Sequence, residues 1–432
     1  MDKSEIIAVL NDWNYWNKDI EGVKDREKYD THIQKFINKD EIVVIKGIRR
    51  SGKSTLMLNQ IKKLIASGVL KENILFVNLE DPRFLNHLNI DLLEDIKNTY
   101  LEYLNPQLKP YIFLDEIQNI PNWEKWVNKE YELKKSYLTI TGSNSSMLSS
   151  EIATVLSGRY IGIDVYPLSF KEFLDFNSMR IKSKLDMVDK KIELNRYLEQ
   201  YIKYGAFPKT LEYEQEQIKE LLTTYKDSIL LKDIVARFKL KNFNILEEIA
   251  AFLLSNTGII QSISKLKNNF GISFDMARDY VEYLKKAYMI YEIKKFDYSL
   301  KKQNVNDKKY YSCDLGLSNI FRVPNLQTRG DDLETIVFLE LKRRAYDIYY
   351  YKTSNELECD FVVSQNNVIV QLIQVSKSIK DKKTLDRETA PFTKTIDELK
   401  LQSDINCTII TEDNSSKKDN IDIINIQEFL LQ

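Results

Sequence analysis

Short apolar runs alternate with helical patterns over the first 165 residues of the chain. Five runs rich in β-branched and aromatic residues predict strands, at residues 42–45, 74–78, 111–114, 137–141 and 160–165. Because helical segments separate them, the pattern favours an α/β fold, with a parallel sheet that helices cover on both faces. Ligands of such sheets bind at the carboxyl ends of the strands, so the polar residues that follow each run are the first candidates for a site.

The segment after the first predicted strand reads GIRRSGKST (residues 47–55) and fits the pattern G-x-x-x-x-G-K-[ST]. Backbone N–H groups of such a loop close around phosphate, and the following helix adds the positive end of its dipole. Lys53 would reach the β- and γ-phosphates, and the Ser54 hydroxyl would bind Mg²⁺. We therefore predict a site for ATP and Mg²⁺ formed by Gly47, Ile48, Arg49, Arg50, Ser51, Gly52, Lys53, Ser54 and Thr55. The two arginines would either contact phosphate or touch a neighbouring domain.

The third predicted strand carries two carboxylates at its tip, in the sequence YIFLDE at residues 111–116. Asp115 would hold Mg²⁺ directly or through water. Glu116 would act as the general base that orients and polarises the attacking water. The fourth strand ends in Ser143 and Asn144, and either side chain could contact the γ-phosphate or its water. An acidic pair alone is often a turn or a helix cap, but beside a phosphate-binding loop it favours hydrolysis over binding alone.

Residues 1–40 form a helical segment that contains Trp13, Trp16, Arg26 and Tyr29. Aromatic side chains just before a phosphate-binding loop could pack near an adenine, or they could belong to the core.

Five segments together resemble a family of bacterial and archaeal AAA+-type ATPases with a C-terminal region of unknown function: GIRRSGKST, FLDEIQN, TGSNSSML, LSGRY and PLSFKEF. The resemblance implies an ATPase core at 1–166 and a helical lid at 167–236. In AAA+ proteins an arginine at the end of the helix before strand five acts in trans on the ATP of a neighbouring subunit, and Arg159 matches this position. The resemblance thus implies a catalytic role for Arg159 and self-association, whereas the residues alone also allow a surface arginine at a helix C-terminus. The segment GAFP (205–208) occupies the place of a Gly-Gly-x-Pro signature, and we assign no sensor residue to the lid.

Residues 240–300 have the order helix, helix, helix, ribbon, which is typical of a winged helix, and we predict such a domain at 237–305. The cations that could then face DNA phosphates are Arg278, Lys285, Lys286, Lys294 and Lys295. Winged helices also bind proteins, and the acidic residues Asp275, Asp279 and Glu282 on the third helix weaken the DNA interpretation.

The remaining segment, 306–432, resembles the PD-(D/E)XK nuclease-like α/β fold. Such nucleases hold Mg²⁺ with an Asp on one strand and Glu-x-Lys on the next. Asp360 fits the first position, but the second reads Gln374-Val375-Ser376 and lacks both the carboxylate and the lysine. We therefore predict a nuclease-like domain without nuclease activity, which could retain binding to a DNA backbone.

Composition and charge bear on three further questions: nucleic-acid binding, a zinc site and a membrane partner. The 63 Lys and Arg residues balance 64 Asp and Glu, so global charge gives no electrostatic argument for nucleic acid. Three cysteines lie far apart and only two histidines occur, which argues against a zinc site. The sequence shows no signal peptide and no long apolar run, and we expect a cytoplasmic, soluble protein without a membrane partner.

The sequence therefore predicts an ATP hydrolase that couples ATP binding and hydrolysis to DNA binding or remodelling, as a homo-oligomer. The alternative is a STAND-like switch, in which ATP controls the binding of protein partners to the C-terminal domains.

Overall fold

The computed structural model describes residues 1–143, 155–323, 329–402 and 404–432. Asn144 and most of the helix predicted at 147–156 lie outside these residues. The chain divides into two compact units, Met1–Tyr166 and Pro167–Gln432.

The first unit is built on a parallel sheet of five strands, as the sequence predicts. The strands are β1 (Ile42–Lys46), β2 (Ile74–Asn78), β3 (Tyr111–Asp115), β4 (Tyr137–Gly142) and β5 (Tyr160–Asp164). Their spatial order is β2-β3-β4-β1-β5, and each neighbouring pair is parallel. The described helices of this unit are α1 (Lys3–Trp13), α2 (Glu27–Gln34), α3 (Lys53–Ala66), α4 (Ile90–Leu104) and α5 (Trp123–Leu133), with 3-10 turns at Lys71–Asn73, Pro82–His87 and Ile117–Asn119.

Alternate residues of β1 enter two separate cores. Ile42 and Val44 pack on one face with α1, α4 and α5, while Val43 and Ile45 pack on the other with α2 and α3. Because successive side chains of a strand point to opposite faces, a continuous apolar run is what a sheet covered on both faces requires. This burial places the polar residues at the strand ends, where the loop after β1 and the tip of β3 lie at the same edge of the sheet.

The second unit contains nine described strands in one mixed sheet. They are β6 (Ile260–Gln261), β7 (Ile290–Lys295), β8 (Lys308–Ser312), β9 (Asp347–Lys352), β10 (Glu358–Gln365), β11 (Val368–Ser376), β12 (Asn406–Thr411), β13 (Ser416–Lys418) and β14 (Ile421–Asn425), in the spatial order β13-β14-β12-β11-β10-β9-β7-β8-β6. The described helices are α6 (Phe170–Phe176), α7 (Lys184–Asp189), α8 (Lys191–Tyr204), α9 (Gln215–Ser228), α10 (Phe243–Ser255), α11 (Ile263–Phe270), α12 (Phe274–Lys286), α13 (Leu300–Val305), α14 (Leu315–Asn319), α15 (Arg329–Arg343), α16 (Lys382–Leu399) and α17 (Ile426–Leu431), with a 3-10 turn at Pro208–Glu212 and a π-helix at Ile229–Ala236.

The segment predicted as a winged helix has three helices, α10 to α12, and the strands β6 and β7 both pair antiparallel with β8. The ribbon differs from the expected hairpin, because the short helix α13 connects β7 to β8. The predicted boundary at 305/306 therefore falls between two paired strands. Since β7 also pairs with β9, one continuous sheet crosses this boundary. The assignment as a winged helix and the other predicted domain limits stay predictions.

The GAFP segment at the end of α8 packs against the start of α14 within the second unit. Gly205 has φ +72°, and a Cβ atom there would lie 2.0 Å from Oδ1 of Asp314. The backbone N–H of Ala206 donates to the other carboxylate oxygen of Asp314 at 2.7 Å. Burial raises the pKa of Asp314 to about 6, although backbone N–H groups of Ala206, Leu317 and Gly316 oppose the rise. This close contact explains why glycine is needed in the first position of the segment.

Candidate nucleotide site

The loop between β1 and α3 has the backbone shape that its glycines predict. Gly47 has φ +150°, and a Cβ atom at this position would lie 2.1 Å from the carbonyl oxygen of Val165. Gly52, at the start of α3, has φ +95°. Arg50 also has positive φ, at 70°, which is uncommon for a residue with a side chain. The backbone of Val165 thus leaves no room for a side chain at Gly47, and the backbone of Arg50 is strained.

Lys53 and Ser54 occupy the first turn of α3, at the mouth of the loop. The Lys53 side chain is buried, and its Nζ donates to the carbonyl of Ile48 within the same loop at 3.1 Å. The Ser54 hydroxyl hydrogen-bonds to the carboxyl group of Asp115. Thr55, the last residue of the predicted set, is exposed.

The tip of β3 brings Asp115 and Glu116 next to this turn. Both carboxyl groups are buried, and burial together with the charge of Glu116 raises the pKa of Asp115 to about 6. Hydrogen bonds from Thr141 and Ser54 act in the opposite direction. The Thr141 hydroxyl donates to Asp115 and accepts the backbone N–H of Glu116 at 3.0 Å, so one side chain of β4 holds both acids.

Glu116 is held by the end of the neighbouring strand. Its backbone is left-handed, with φ +56°, which turns its side chain out of the strand direction. Burial opposes ionisation, but the charge of Lys53, the hydrogen bond from Gln118, the charge of Arg49 and the hydrogen bond from Ser143 together lower the pKa of Glu116. Nε2 of Gln118 donates to Glu116 and lies 3.4 Å from Oγ of Ser143. Glu116 is thus ionised at neutral pH, while its neighbour Asp115 holds a proton more strongly.

The two arginines of the loop differ in their surroundings. Arg49 is nearly buried, and both of its terminal nitrogens lie 3.0 Å from Oε1 of Glu80, just beyond β2. Arg50 is exposed. Ile48 is fully buried and belongs to the packing of the loop.

Arg159 is placed apart from this group of side chains. Its guanidinium forms an ion pair with Glu132 on α5 at 2.7 Å, hydrogen-bonds to Asn128 and lies over the ring of Tyr131. It also donates to the carbonyl of Val155. Its action on a neighbouring subunit stays a prediction.

Several residues that the sequence analysis did not single out complete the site. Thr141 and Gln118 hold the two acids, and they lie within the segments TGSNSSML and FLDEIQN that carry the family resemblance. Arg26, in the helical segment before the loop, donates to the backbone of the loop at the carbonyl of Ser51. Trp13 and Trp16 bond to Asp81 and to the carbonyl of Ile74, beside β2, which favours a packing role.

The cations that the winged-helix interpretation assigns to DNA are engaged with neighbours inside the second unit. Arg278 forms ion pairs with Asp275 at 3.1 Å and Asp279 at 3.2 Å. Lys285 pairs with Glu282 at 2.6 Å and Glu292 at 3.0 Å. Lys294 bonds to Asn304 at 2.7 Å, Lys286 lies over the ring of Phe238, and Lys295 lies over that of Tyr351. These ion pairs reduce the positive potential that a phosphate backbone would need.

In the nuclease-like segment a buried lysine from another strand lies among the acids. Nζ of Lys309, on β8, is 2.8 Å from Oε1 of Glu334 and also pairs with Glu358. The Tyr311 hydroxyl donates to the same oxygen of Glu334 at 2.6 Å. Although burial opposes it, the charges of Glu334 and its neighbours raise the pKa of Lys309 well above its ordinary value.

Asp360 and Gln374 form side-chain hydrogen bonds that connect β10 to β11. Asp360 accepts the backbone N–H of Val375 at 2.8 Å, and its own N–H donates to Oε1 of Gln374 at 2.7 Å. Burial, followed by the charge of Glu334, raises the pKa of Asp360 well above its ordinary value. Over the described ranges, no group of three or more His, Cys, Asp or Glu side chains is arranged to hold a metal ion. Loss of nuclease activity stays a prediction.

Comparisons with known proteins agree with the geometry of the first unit. A family model described as "AAA domain" matches residues 39–174, and two domains of unknown function, DUF8612 and DUF4143, match 195–327 and 329–429. The chain is thus a P-loop protein with an AAA-type ATPase domain.

Two curated relatives cover most of the chain. The uncharacterized protein MJ1544 of Methanocaldococcus jannaschii is 34% identical over 395 residues, which cover 87% of this chain and 85% of that protein. An uncharacterized protein of Haemophilus influenzae is 33% identical over 360 residues, covering 82% and 87%. The chain belongs to the same family as these relatives.

Among solved structures, the Aeropyrum pernix ORC1 protein in complex with DNA matches 74% of this chain and 97% of its own chain, with 11% identity and a TM-score of 0.31.

Within the described ranges, no helix has the length and apolar character needed to cross a membrane.

Proposed function

We propose that the first unit hydrolyses ATP at the edge of its sheet, with Glu116 as the general base. The observation that carries this proposal is the buried acid pair at the tip of β3, tied to the phosphate-binding turn through Ser54 and to β4 through Thr141. The lowered pKa of Glu116 leaves its carboxylate ionised at neutral pH, so it can accept a proton from water.

The donor set fits ATP with Mg²⁺. The Ser54 hydroxyl and the Asp115 carboxyl are hard oxygen ligands that already touch each other, and Mg²⁺ favours such ligands together with phosphate oxygens. When bound, the cation would neutralise charge on the phosphates. Lys53 would exchange its bond to the Ile48 carbonyl for the β- and γ-phosphates.

Glu116 would accept the proton of the attacking water, while Ser143 and Gln118 orient its carboxylate. Replacing Glu116 with Gln keeps the shape of the side chain and removes the base. We expect turnover to fall by at least about 100-fold, with ATP affinity within a few-fold of wild type. Glu102→Gln, an exposed acid that pairs with Lys3 at the surface, is the matched control. Unchanged turnover in Glu116→Gln would show that the assignment of the base is wrong.

We propose further that ATP turnover controls what the C-terminal segments bind, in a homo-oligomer in which Arg159 reaches the ATP of a neighbouring subunit. In the first version of this proposal the C-terminal segments bind DNA. In the second version, the STAND-like switch, they bind a protein partner. The ion pairs of Arg278 and Lys285 favour the protein version, because they neutralise the cations of the third helix.

ATPase rates with and without duplex, single-stranded and branched DNA separate the two versions. Stimulation that weakens as salt rises supports DNA, because phosphate contacts are salt-dependent. A slow ATPase that is insensitive to DNA and that copurifies with tightly bound ADP supports the switch.

A further inference from the structure

Arg26 connects the phosphate-binding loop to the last residue of the first unit. Its guanidinium donates from Nη1 to the carbonyl of Ser51 and from Nη2 to the carbonyl of Tyr166, both at 3.0 Å. The side chain is only 4% exposed and lies over the ring of Tyr29. The Tyr29 hydroxyl in turn accepts the backbone N–H of Tyr166 at 3.2 Å. Both polar backbone groups of Tyr166 are therefore held by α2 and the residue that caps it.

The position of Arg26 is itself fixed relative to the loop helix. Its backbone N–H donates to Asp30 at 2.9 Å. Asp30 is buried and accepts further hydrogen bonds from Asn59 and Gln60 of α3, and it pairs with Lys63 at 2.9 Å. A buried carboxylate with this many donors is held in one geometry. Arg26 therefore lies on a segment that Asp30 attaches to α3 by hydrogen bonds and an ion pair.

The contact with Ser51 reaches the part of the loop that would meet phosphate. The carbonyl of Ser51 and the N–H of Gly52 belong to one planar trans peptide unit, so they point in opposite directions. An arginine that holds the carbonyl on one side therefore aims the N–H to the other side. Backbone N–H groups of this turn are the ones that a phosphate-binding loop offers to its ligand.

The contact with Tyr166 reaches the segment that leaves the unit. Val165 already lies against Gly47, and its N–H donates to the carbonyl of Lys46 at 2.7 Å. Tyr166 precedes Pro167, and a residue before proline is restricted to extended backbone. Within the second unit, Arg343 donates to the carbonyls of Pro167 and Leu168, at 3.1 Å each. In the first unit Arg26 donates to the carbonyl of Tyr166. In the second unit Arg343 donates to the next two carbonyls, those of Pro167 and Leu168.

We propose that Arg26 is a positioning residue that links phosphate binding at the Ser51–Gly52 peptide to the backbone of Tyr166, and through the covalent chain to the second unit. This rests on the proposed binding of ATP in the loop. Phosphate fixes the peptide, the fixed carbonyl holds the guanidinium, and the guanidinium with Tyr29 holds Tyr166. The planar fork of arginine suits this role because it donates in two directions at a fixed angle, which the single ammonium of lysine cannot do.

The test compares full-length wild type with Arg26→Lys, Tyr29→Phe and the matched control Arg83→Lys. Arg83 lies in the same unit and pairs with Asp12 and Asp81, neither of which is a residue of the loop. ATP affinity is measured by titration, and amide hydrogen exchange of Tyr166 is measured with and without β,γ-methylene ATP and Mg²⁺.

In wild type and Arg83→Lys, the nucleotide slows exchange at Tyr166. Arg26→Lys is expected to weaken ATP binding by about tenfold and to abolish the slowing, because both fork contacts are lost. Tyr29→Phe is expected to bind ATP within about twofold of wild type and still lose most of the slowing, because only the Tyr166 contact is removed. A melting curve followed by tryptophan fluorescence records the stability of each variant, so Tyr29→Phe keeps the test usable if Arg26→Lys unfolds.

The outcomes separate the two proposals. If wild type binds no ATP, the proposed function fails and the link falls with it. If wild type binds ATP and both variants show the same nucleotide-dependent slowing as Arg83→Lys, the link alone is wrong. A purely structural role of Arg26 predicts that result, with a lowered melting temperature and an unchanged response to nucleotide.

Discussion

Replacing Lys309 with Met tests whether the buried lysine of the second unit neutralises its acidic cluster. Lys309 is 2% exposed and pairs with Glu334 and Glu358, next to Asp360. Methionine has a similar length and removes only the charge and the donors. Glu334 then loses an ion pair and keeps the hydrogen bond from Tyr311.

Removing one partner from a buried ion pair costs about 3–5 kcal/mol, because the remaining charge has no counter-ion. The Glu358 side chain is 33% exposed and regains water, so its share is small. Asp360 already has a raised pKa and can relieve part of the repulsion by taking up a proton. We therefore expect a loss of about 3 kcal/mol near neutral pH, at the lower end of the range for a broken buried pair.

The loss should depend on pH in a defined direction. The pKa of Asp360 is already raised in the folded protein, and losing the charge of Lys309 raises it further, so the folded variant binds more protons than the unfolded chain. Stability of the variant therefore increases as pH falls. We expect the difference from wild type to shrink from about pH 8 to about pH 5, as Asp360 becomes protonated.

The assay is urea unfolding followed by far-UV circular dichroism. Tryptophan fluorescence records the first unit separately, since all four tryptophans lie between residues 13 and 126. Lys308→Met is the matched control, because the neighbouring lysine bonds to the backbone carbonyls of Gln303 and Asn304 rather than to Glu334 and Glu358. Equal stability of the two variants, or a loss at Lys309 that does not change with pH, would refute the reasoning.

Two further predictions concern the GAFP segment and the arginine before β5. Gly205→Ala should cost about 3 kcal/mol or more, from left-handed strain and the displaced Asp314, whereas Gly271→Ala, with φ +61° and nothing within 4 Å, should cost about 1 kcal/mol. Thermal melting compares them, and equal shifts would contradict the contact. Arg159→Ala should retain ATP binding but lose about 10³-fold in turnover. If the arginine acts in trans, mixing this variant with Lys53→Ala restores activity, and an inactive mixture would exclude that role.

The core of the first unit follows from local patterns. Each of its five strands lies within about a residue of the predicted run, because a buried parallel strand is a short continuous apolar stretch that can be recognised without its partners. The phosphate-binding loop follows in the same way, since its glycines, Lys53 and Ser54 act within one turn of chain.

The second unit was less predictable, because its sheet is assembled from segments far apart in sequence. The continuous sheet across the predicted boundary at 305/306 results from pairing of β7 with both β8 and β9, and the short helix α13 connects β7 to β8. Strand pairing of this kind depends on tertiary packing rather than on periodicity.

The class of site can be recognised from local sequence patterns: a phosphate-binding loop, an acid pair and a polar strand end each follow directly after a predicted strand. The side chains that support these residues become visible only once the chain is folded. Thr141 meets Asp115 across 26 positions, Arg26 meets Tyr166 across 140, and Lys309 meets Glu334 across 25. Such contacts leave no periodic trace in the chain, because a side chain's partners are set by how the strands and helices pack.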